Sequence, residues 1–235
     1  MITRRRRSFI VAGLLATVVC GIVWKTSRPK EPTHGGKGLS VWLDELCKLD
    51  YSKRADSGAP QVEAVRAIGT NAIPWLLGEF RHDGTTWRWK LNRLLDKQHV
   101  IKSRITTADD RLRRGTWGFW ALGELGEPAI PTLLSMVEGY PGYVPGALAG
   151  IGRPALPALQ QCLTNNQQYT NALGIYAIVP GNTISEIFNA TSYGPFSKAD
   201  VAIFLATIQA WAQQSTNGQA QSKAAWFLSH YDQLR

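Results

Sequence analysis

Ala147-Leu-Ala-Gly-Ile-Gly-Arg-Pro-Ala-Leu-Pro-Ala-Leu159 restates two earlier stretches of the chain. These are Ala64-Val-Arg-Ala-Ile-Gly-Thr-Asn-Ala-Ile-Pro-Trp-Leu76 and Ala121-Leu-Gly-Glu-Leu-Gly-Glu-Pro-Ala-Ile-Pro-Thr-Leu133. The common frame is A-[VL]-x-x-[IL]-G-x-x-A-[IL]-P-x-L, and eight of its positions agree in every copy. Internal similarity of this kind predicts units that bury their apolar faces on one another, because one copy is too short to hold a core alone.

The frame encodes a helix, a break and a second helix. Ala64, Val65 and Ile68 recur at helical spacing and mark one apolar stripe. Gly69, Gly126 and Gly152 then stand where a helix ends on a positive φ. Pro128 and Pro154 suit the first position of the next helix, where no backbone N–H is needed. Ala72, Ile73 and Leu76 open the inner face of that second helix, and Pro74, Pro131 and Pro157 fall in its first turn. The glycines lie 57 and 26 residues apart. The longer interval predicts an insertion or a degenerate repeat over residues 78–116.

The frame resembles HEAT repeats of the short bacterial kind, also found in the phycobilisome-lyase class. The stretch Gly38-Leu-Ser-Val-Trp-Leu-Asp44 also resembles the entry to membrane-anchored bacterial HEAT proteins. The resemblance implies an all-α fold, an α-solenoid of helix pairs over residues 39–235, and protein binding. It supplies no catalytic residues.

The formal charge of +9 is unevenly spread. Residues 1–25 hold Arg4, Arg5, Arg6, Arg7 and Lys25, residues 26–80 are balanced, and residues 116–235 are slightly acidic. Residues 81–115 carry ten basic against four acidic groups. The four arginines precede Phe9–Trp24, sixteen residues without a charge. This pattern predicts a basic cytoplasmic flank at 1–7 and an uncleaved anchor at 8–24. It places the C-terminal domain on the non-cytoplasmic side, the periplasmic side of a bacterial inner membrane. Residues 25–38, with Pro29, Pro32 and three glycines, read as a tether.

In the folded part, Leu39–Leu49 is predicted helical with Ser40 as its cap, and Tyr51–Pro60 reads as a loop. Residues 61–80 form the first clear unit, and Thr85–Lys97 reads as a helix. Thr106 or Thr107 starts a helix that runs to Leu125. Residues 127–138 and 143–165 follow. Ala172–Val179 and Thr183–Asn189 read as a worn repeat, and Lys198–Gln214 and Gln219–Tyr231 as terminal helices.

The sequence offers little chemistry. His34, His82, His99 and His230 are scattered and show no ligand spacing. Gly35-Gly-Lys-Gly38 lacks the spacing of a phosphate loop. Cys47 and Cys162 sit in helical patterns and read as small buried hydrophobes. Neither a cofactor, a metal nor a small-molecule substrate is expected.

The strongest candidate for binding is the basic stretch Arg81, Arg88, Lys90, Arg93, Lys97, Lys102, Arg104, Arg111, Arg113 and Arg114, interleaved with Trp87 and Trp89. Within it, Arg88, Lys90, Arg93, Lys97, Trp87 and Trp89 form the candidate patch. It suits phosphates with base stacking, or anionic lipid headgroups beside the anchor. The plainer alternative is a solvated helix face. The leading expectation is a non-enzymatic, membrane-anchored scaffold for a protein partner. A binder of anionic polymer, nucleic acid or lipid headgroups is the alternative, with nucleic acid disfavoured by the topology. A HEAT-like lyase-type enzyme is the second.

Overall fold

The computed structural model describes residues 30–54, 56, 58–81, 106–164, 168–170, 176–214 and 218–231. These elements belong to one compact unit, Glu31–Arg235. The expected flank, the anchor at 8–24 and the candidate patch at 87–97 lie outside the described residues. Among the described residues no helix is long and apolar enough to cross a membrane.

The described residues are mostly helical, as expected, with two small strand pairs. The first departs from the tether reading. Strand β1 (Thr33–His34) pairs antiparallel with β2 (Lys37–Gly38) through Gly35 and Gly36. Both glycines have positive φ, as a two-residue hairpin turn demands. Helix α1 (Leu39–Cys47) follows at once. Its cap is not the Ser40 hydroxyl: the Glu31 carboxylate accepts from the Ser40 backbone N–H at 2.6 Å. Gly38 leaves room for it, since a Cβ there would meet Glu31 Oε1 at 2.6 Å. The end of the expected tether is thus folded back as a cap on α1.

A short helix α2 (Tyr51–Arg54) occupies the expected loop. Three helix pairs then carry the frame. Helix α3 (Pro60–Ile68) and α4 (Ile73–Phe80) form the first. Helix α5 (Ala108–Leu122) and α6 (Ile130–Met136) form the second. Helix α7 (Val144–Ile151) and α8 (Leu156–Thr164) form the third. Of the expected degenerate stretch 78–116, residues 78–80 complete α4 and 108–116 open α5.

Each second helix begins at the frame's aligned position, Ile73, Ile130 or Leu156, with Pro74, Pro131 and Pro157 exposed in the first turn. Pro128 and Pro154 lie one step earlier than expected, in the 3-10 turns Gly123–Ala129 and Arg153–Ala155. Copies one and three end their first helix on Gly69 and Gly152, as the frame predicts. Copy two does not. Helix α5 stops at Gly123, three residues before Gly126.

Gly69, Gly123 and Gly152 share one backbone conformation, φ +64, +60 and +91° with ψ −146, −139 and −146°. That region is closed to residues bearing a Cβ, so glycine terminates all three helices. Gly126 does not have positive φ. It is needed for space, because a Cβ there would meet Ile151 Cγ1 at 2.9 Å and Phe119 Cδ1 at 3.2 Å. The early stop also turns one frame position outward: Leu125 is 45% exposed, whereas its equivalents Ile68 and Ile151 are buried.

Helix α5 packs against α1, α3 and α4 on one side and α7 on the other, and α7 continues to α9 (Val179–Tyr193). The approach of α7 to α5 depends on Gly146 and Gly150. A Cβ at Gly150 would lie 2.7 Å from the Cα of Trp120, and one at Gly146 3.0 Å from the Thr116 methyl. The Trp120 indole lies in this slot and donates to the Gly146 carbonyl at 2.7 Å. Arg66 of α3 donates to the Ala121 carbonyl at 3.0 Å, satisfying part of the last turn of α5.

The expected worn repeat is replaced. Strands β3 (Gln168–Thr170) and β4 (Tyr176–Ile178) pair antiparallel, and α9 is one unbroken helix. Lys198–Gln214 divides into α10 (Lys198–Ala202) and α11 (Leu205–Gln214). A reciprocal cap between Ser197 and Asp200 starts α10. Helix α12 (Gly218–His230) closes the described chain and packs on α9 and α11.

The two glycines of copy two should fail for different reasons. Gly123→Ala forces a side chain into a glycine-only conformation and should cost about 1–3 kcal/mol. Gly126→Ala instead presses on Ile151. In a double-mutant cycle followed by urea unfolding, Ile151→Ala should couple to Gly126→Ala by at least about 0.5 kcal/mol and leave the Gly123→Ala penalty unchanged. Equal coupling to both glycines contradicts this assignment.

Candidate functional site

Two surfaces of the described residues bring polar or aromatic groups together. The first retains the end of the basic stretch. Thr107 caps α5 in a reciprocal box: its hydroxyl accepts from the Asp110 N–H at 3.2 Å, and Asp110 Oδ2 accepts from the Thr107 N–H at 2.9 Å. This helix start was legible in the sequence. Asp109 and Asp110 place negative charge in the first turn, where the helix dipole favours it. The Tyr143 hydroxyl donates to Asp109, and burial followed by this bond raises its pKa.

One turn further on, Arg111 and Arg114 point inward while Arg113 faces solvent. Arg114 grips Asp44 of α1 with two bonds, Nε to Oδ1 and a terminal nitrogen to Oδ2, both 2.6 Å. Its other terminal nitrogen stands 3.8 Å from Glu79 Oε2, and Arg111 stands 3.8 Å from Glu79 Oε1. Glu79, at the end of α4, is only 6% exposed. Its Oε2 accepts no hydrogen bond among the described residues. Burial raises the Glu79 pKa, and the two arginines only partly oppose it.

The expectation for Arg111 and Arg114 is therefore corrected. They are neither a solvated face nor an open cationic patch, but internal links joining α1, α4 and α5. Sequence reasoning missed them because the partners, Asp44 and Glu79, lie 70 and 32–35 residues away, and no local spacing pairs them. Arg88, Lys90, Arg93, Lys97, Trp87 and Trp89 lie outside the described residues, as do Lys102 and Arg104.

A cleft of about 370 Å³ opens between α1 and the start of α5. Asp44, Cys47, Lys48, Thr106, Asp110 and Arg113 are on its walls. Asp44 is committed to Arg114 and Asp110 to the helix cap. Burial raises the Cys47 thiol, with Arg54 opposing, so the protonated and weakly nucleophilic form dominates near neutrality. Cys162 is buried and pushed up to about 12. Both are free thiols. Cys162 is the small buried hydrophobe expected, while Cys47 is half-buried against the core. Among the described residues no three His, Cys, Asp or Glu side chains converge to hold a metal ion.

The second surface lies between α9 and α12, where a groove of about 250 Å³ is floored by Ile184 and Phe227. Phe188 meets Trp226 edge-on with centroids 4.5 Å apart, and Trp226 stacks on His230 at 4.6 Å. Trp226 is 47% exposed, a large aromatic surface left toward solvent. The sequence reading placed Trp226 within the terminal helix Gln219–Tyr231 but assigned it no surface. Its spacing from Lys223 and His230, three and four residues, was the available signal.

The buried carboxylate makes a pH prediction with a defined sign. The folded pKa of Glu79 is above its ordinary value of 4.5, so the folded chain binds its proton more tightly than the unfolded chain. The stability contributed by Glu79 is therefore fully present below that value and is lost as pH rises through the folded pKa. Urea unfolding across this range should show a decline in the parent that Glu79→Gln flattens. Parallel stability profiles for the two proteins contradict this.

No protein-family model matches the chain, and no curated protein or solved structure matches it either.

Proposed function

We propose that the chain is a membrane-anchored, HEAT-like scaffold that binds a protein partner and performs no chemistry of its own. The recurring helix pair carries this reading. Three copies use the same glycine conformation to end one helix and the same proline position to start the next. Stacked pairs of this kind form an α-solenoid, whose surface varies while its frame stays apolar. The four arginines before the uncharged run support an anchor at 8–24 with the N-terminus in the cytoplasm and the helical domain outside it.

The alternative, an anionic-polymer or lipid-headgroup binder, loses two of its cations to Asp44 and Glu79. Its remaining support is the charge of Arg81, Arg88, Lys90, Arg93, Lys97, Lys102, Arg104 and Arg113 in the sequence. The lyase-type alternative rests on the family resemblance alone.

A photo-crosslinking amino acid placed singly at Val41, Leu125, Ile203 or Trp226 samples exposed positions on separate elements. In intact cells the scaffold reading expects a discrete protein adduct from a subset of these positions, identified by mass spectrometry. The absence of any adduct at all four contradicts it. A reporter active only outside the cytoplasm, fused after Arg235, should be active, and activity of a cytoplasmic reporter there would reverse the topology.

A further inference from the structure

We infer that the groove between α9 and α12 receives an aromatic side chain flanked by carboxylates, presented by the protein partner. This rests on the scaffold reading and names the chemistry of one contact within it.

The walls of the groove divide by type. Ile184, Phe188, Trp226 and Phe227 supply an apolar slot with two ring faces set at 62° to one another. An inserted ring meets such walls edge-to-face, a preferred aromatic arrangement. Half of the Trp226 surface is already exposed, so inserting a ring removes apolar area from water without opening the core. Ser185 and Asn189, one turn apart on α9, add polar groups to the lining.

The charge at this surface has one sign. Among the described residues on the groove wall, Lys223 carries the sole formal charge. The Glu186 carboxyl is turned toward α7, where it would lie 3.4 Å from a Cβ at Gly146. Burial raises the Glu186 pKa, against the Asn189 hydrogen bond and the Lys223 charge. Lys223, Trp226 and His230 follow one another at three and four residues, which aligns cation, indole and imidazole along one face of α12. A ligand with an apolar centre and negative flanks matches that line. A basic ligand places like charge beside Lys223.

The test uses the full chain in a neutral detergent. Three peptides serve as probes: acetyl-Glu-Phe-Glu-amide, acetyl-Gln-Phe-Gln-amide and acetyl-Lys-Phe-Lys-amide. The indole N–H signal of Trp226, assigned from its loss in Trp226→Phe, is followed by NMR. The acidic peptide should shift that signal and bind at least about threefold more tightly than the basic one, as expected for a partly exposed ion pair. Lys223→Glu should invert the order, and Trp226→Ala should abolish binding of all three. Circular dichroism confirms that each variant is folded. Equal affinities, an unmoved Trp226 signal, or unchanged binding to Trp226→Ala overturns the assignment. The scaffold reading fails separately, because an adduct at Val41, Leu125 or Ile203 supports it whatever the groove at Trp226 binds.

Discussion

Trp120 sets the spacing on which the centre of the molecule depends. Its indole lies between α5 and α7, donates to the Gly146 carbonyl and passes over Gly150. The far edge of the ring reaches Gly194, where a Cβ would come within 2.6 Å. Three glycines thus surround one large side chain, and the backbone comes closer than any side chain would permit. Truncating a buried tryptophan costs about 3–5 kcal/mol in general. Here the indole N–H is also satisfied, so polarity adds no burial penalty. Neighbouring contacts follow the same rule on the other side of α5, where Gly115 faces the Phe80 ring and Gly118 faces Leu76. The middle helix is therefore held by large residues seated on glycine from both directions.

The charged network supplies a second constraint of a different kind. Asp44, Arg114, Glu79 and Arg111 tie three helices whose sequence separation is large, and Arg114 is mostly buried at the junction. Buried charges of this sort stabilise little in net terms, but removing one partner strands the others. They fix which helix meets which, rather than how strongly. This separates the arginines of α5 by role: Arg113 faces solvent at the cleft, and its neighbours on both sides hold the fold.

Much of the helical architecture was legible because the frame repeats. The existence of the paired helices, the cap at Thr107 and the glycine stops at Gly69 and Gly152 follow from local residue chemistry, while α6 and α8 begin two residues after the prolines expected to open them. The failures share a cause. Gly123 and Gly126 are both glycines within the same copy, and only the contact with Ile151 distinguishes a spacing glycine from a terminating one. Glu31 looked like part of a tether because its use as a cap depends on a hairpin two glycines long. Ala172–Val179 read as part of a worn repeat, yet Tyr176–Ile178 within it is strand β4, paired with β3, since short apolar runs carry no decisive period. Of the candidate surfaces, the basic residues were visible as composition, whereas the partners of Arg111 and Arg114 and the groove at Trp226 arise only from tertiary contact.

The 3-10 turns Gly69–Ala72, Gly123–Ala129 and Arg153–Ala155 act as adjustable spacers. They contain four, seven and three residues, and the helices preceding them contain nine, fifteen and eight. Every one of them nevertheless delivers the following helix at the same frame position with a proline in its first turn. Length is therefore exchanged between a helix end and its turn without moving the next interface. These turns are thus the seams at which residues pass between helix and turn while the register of the packed helices is preserved.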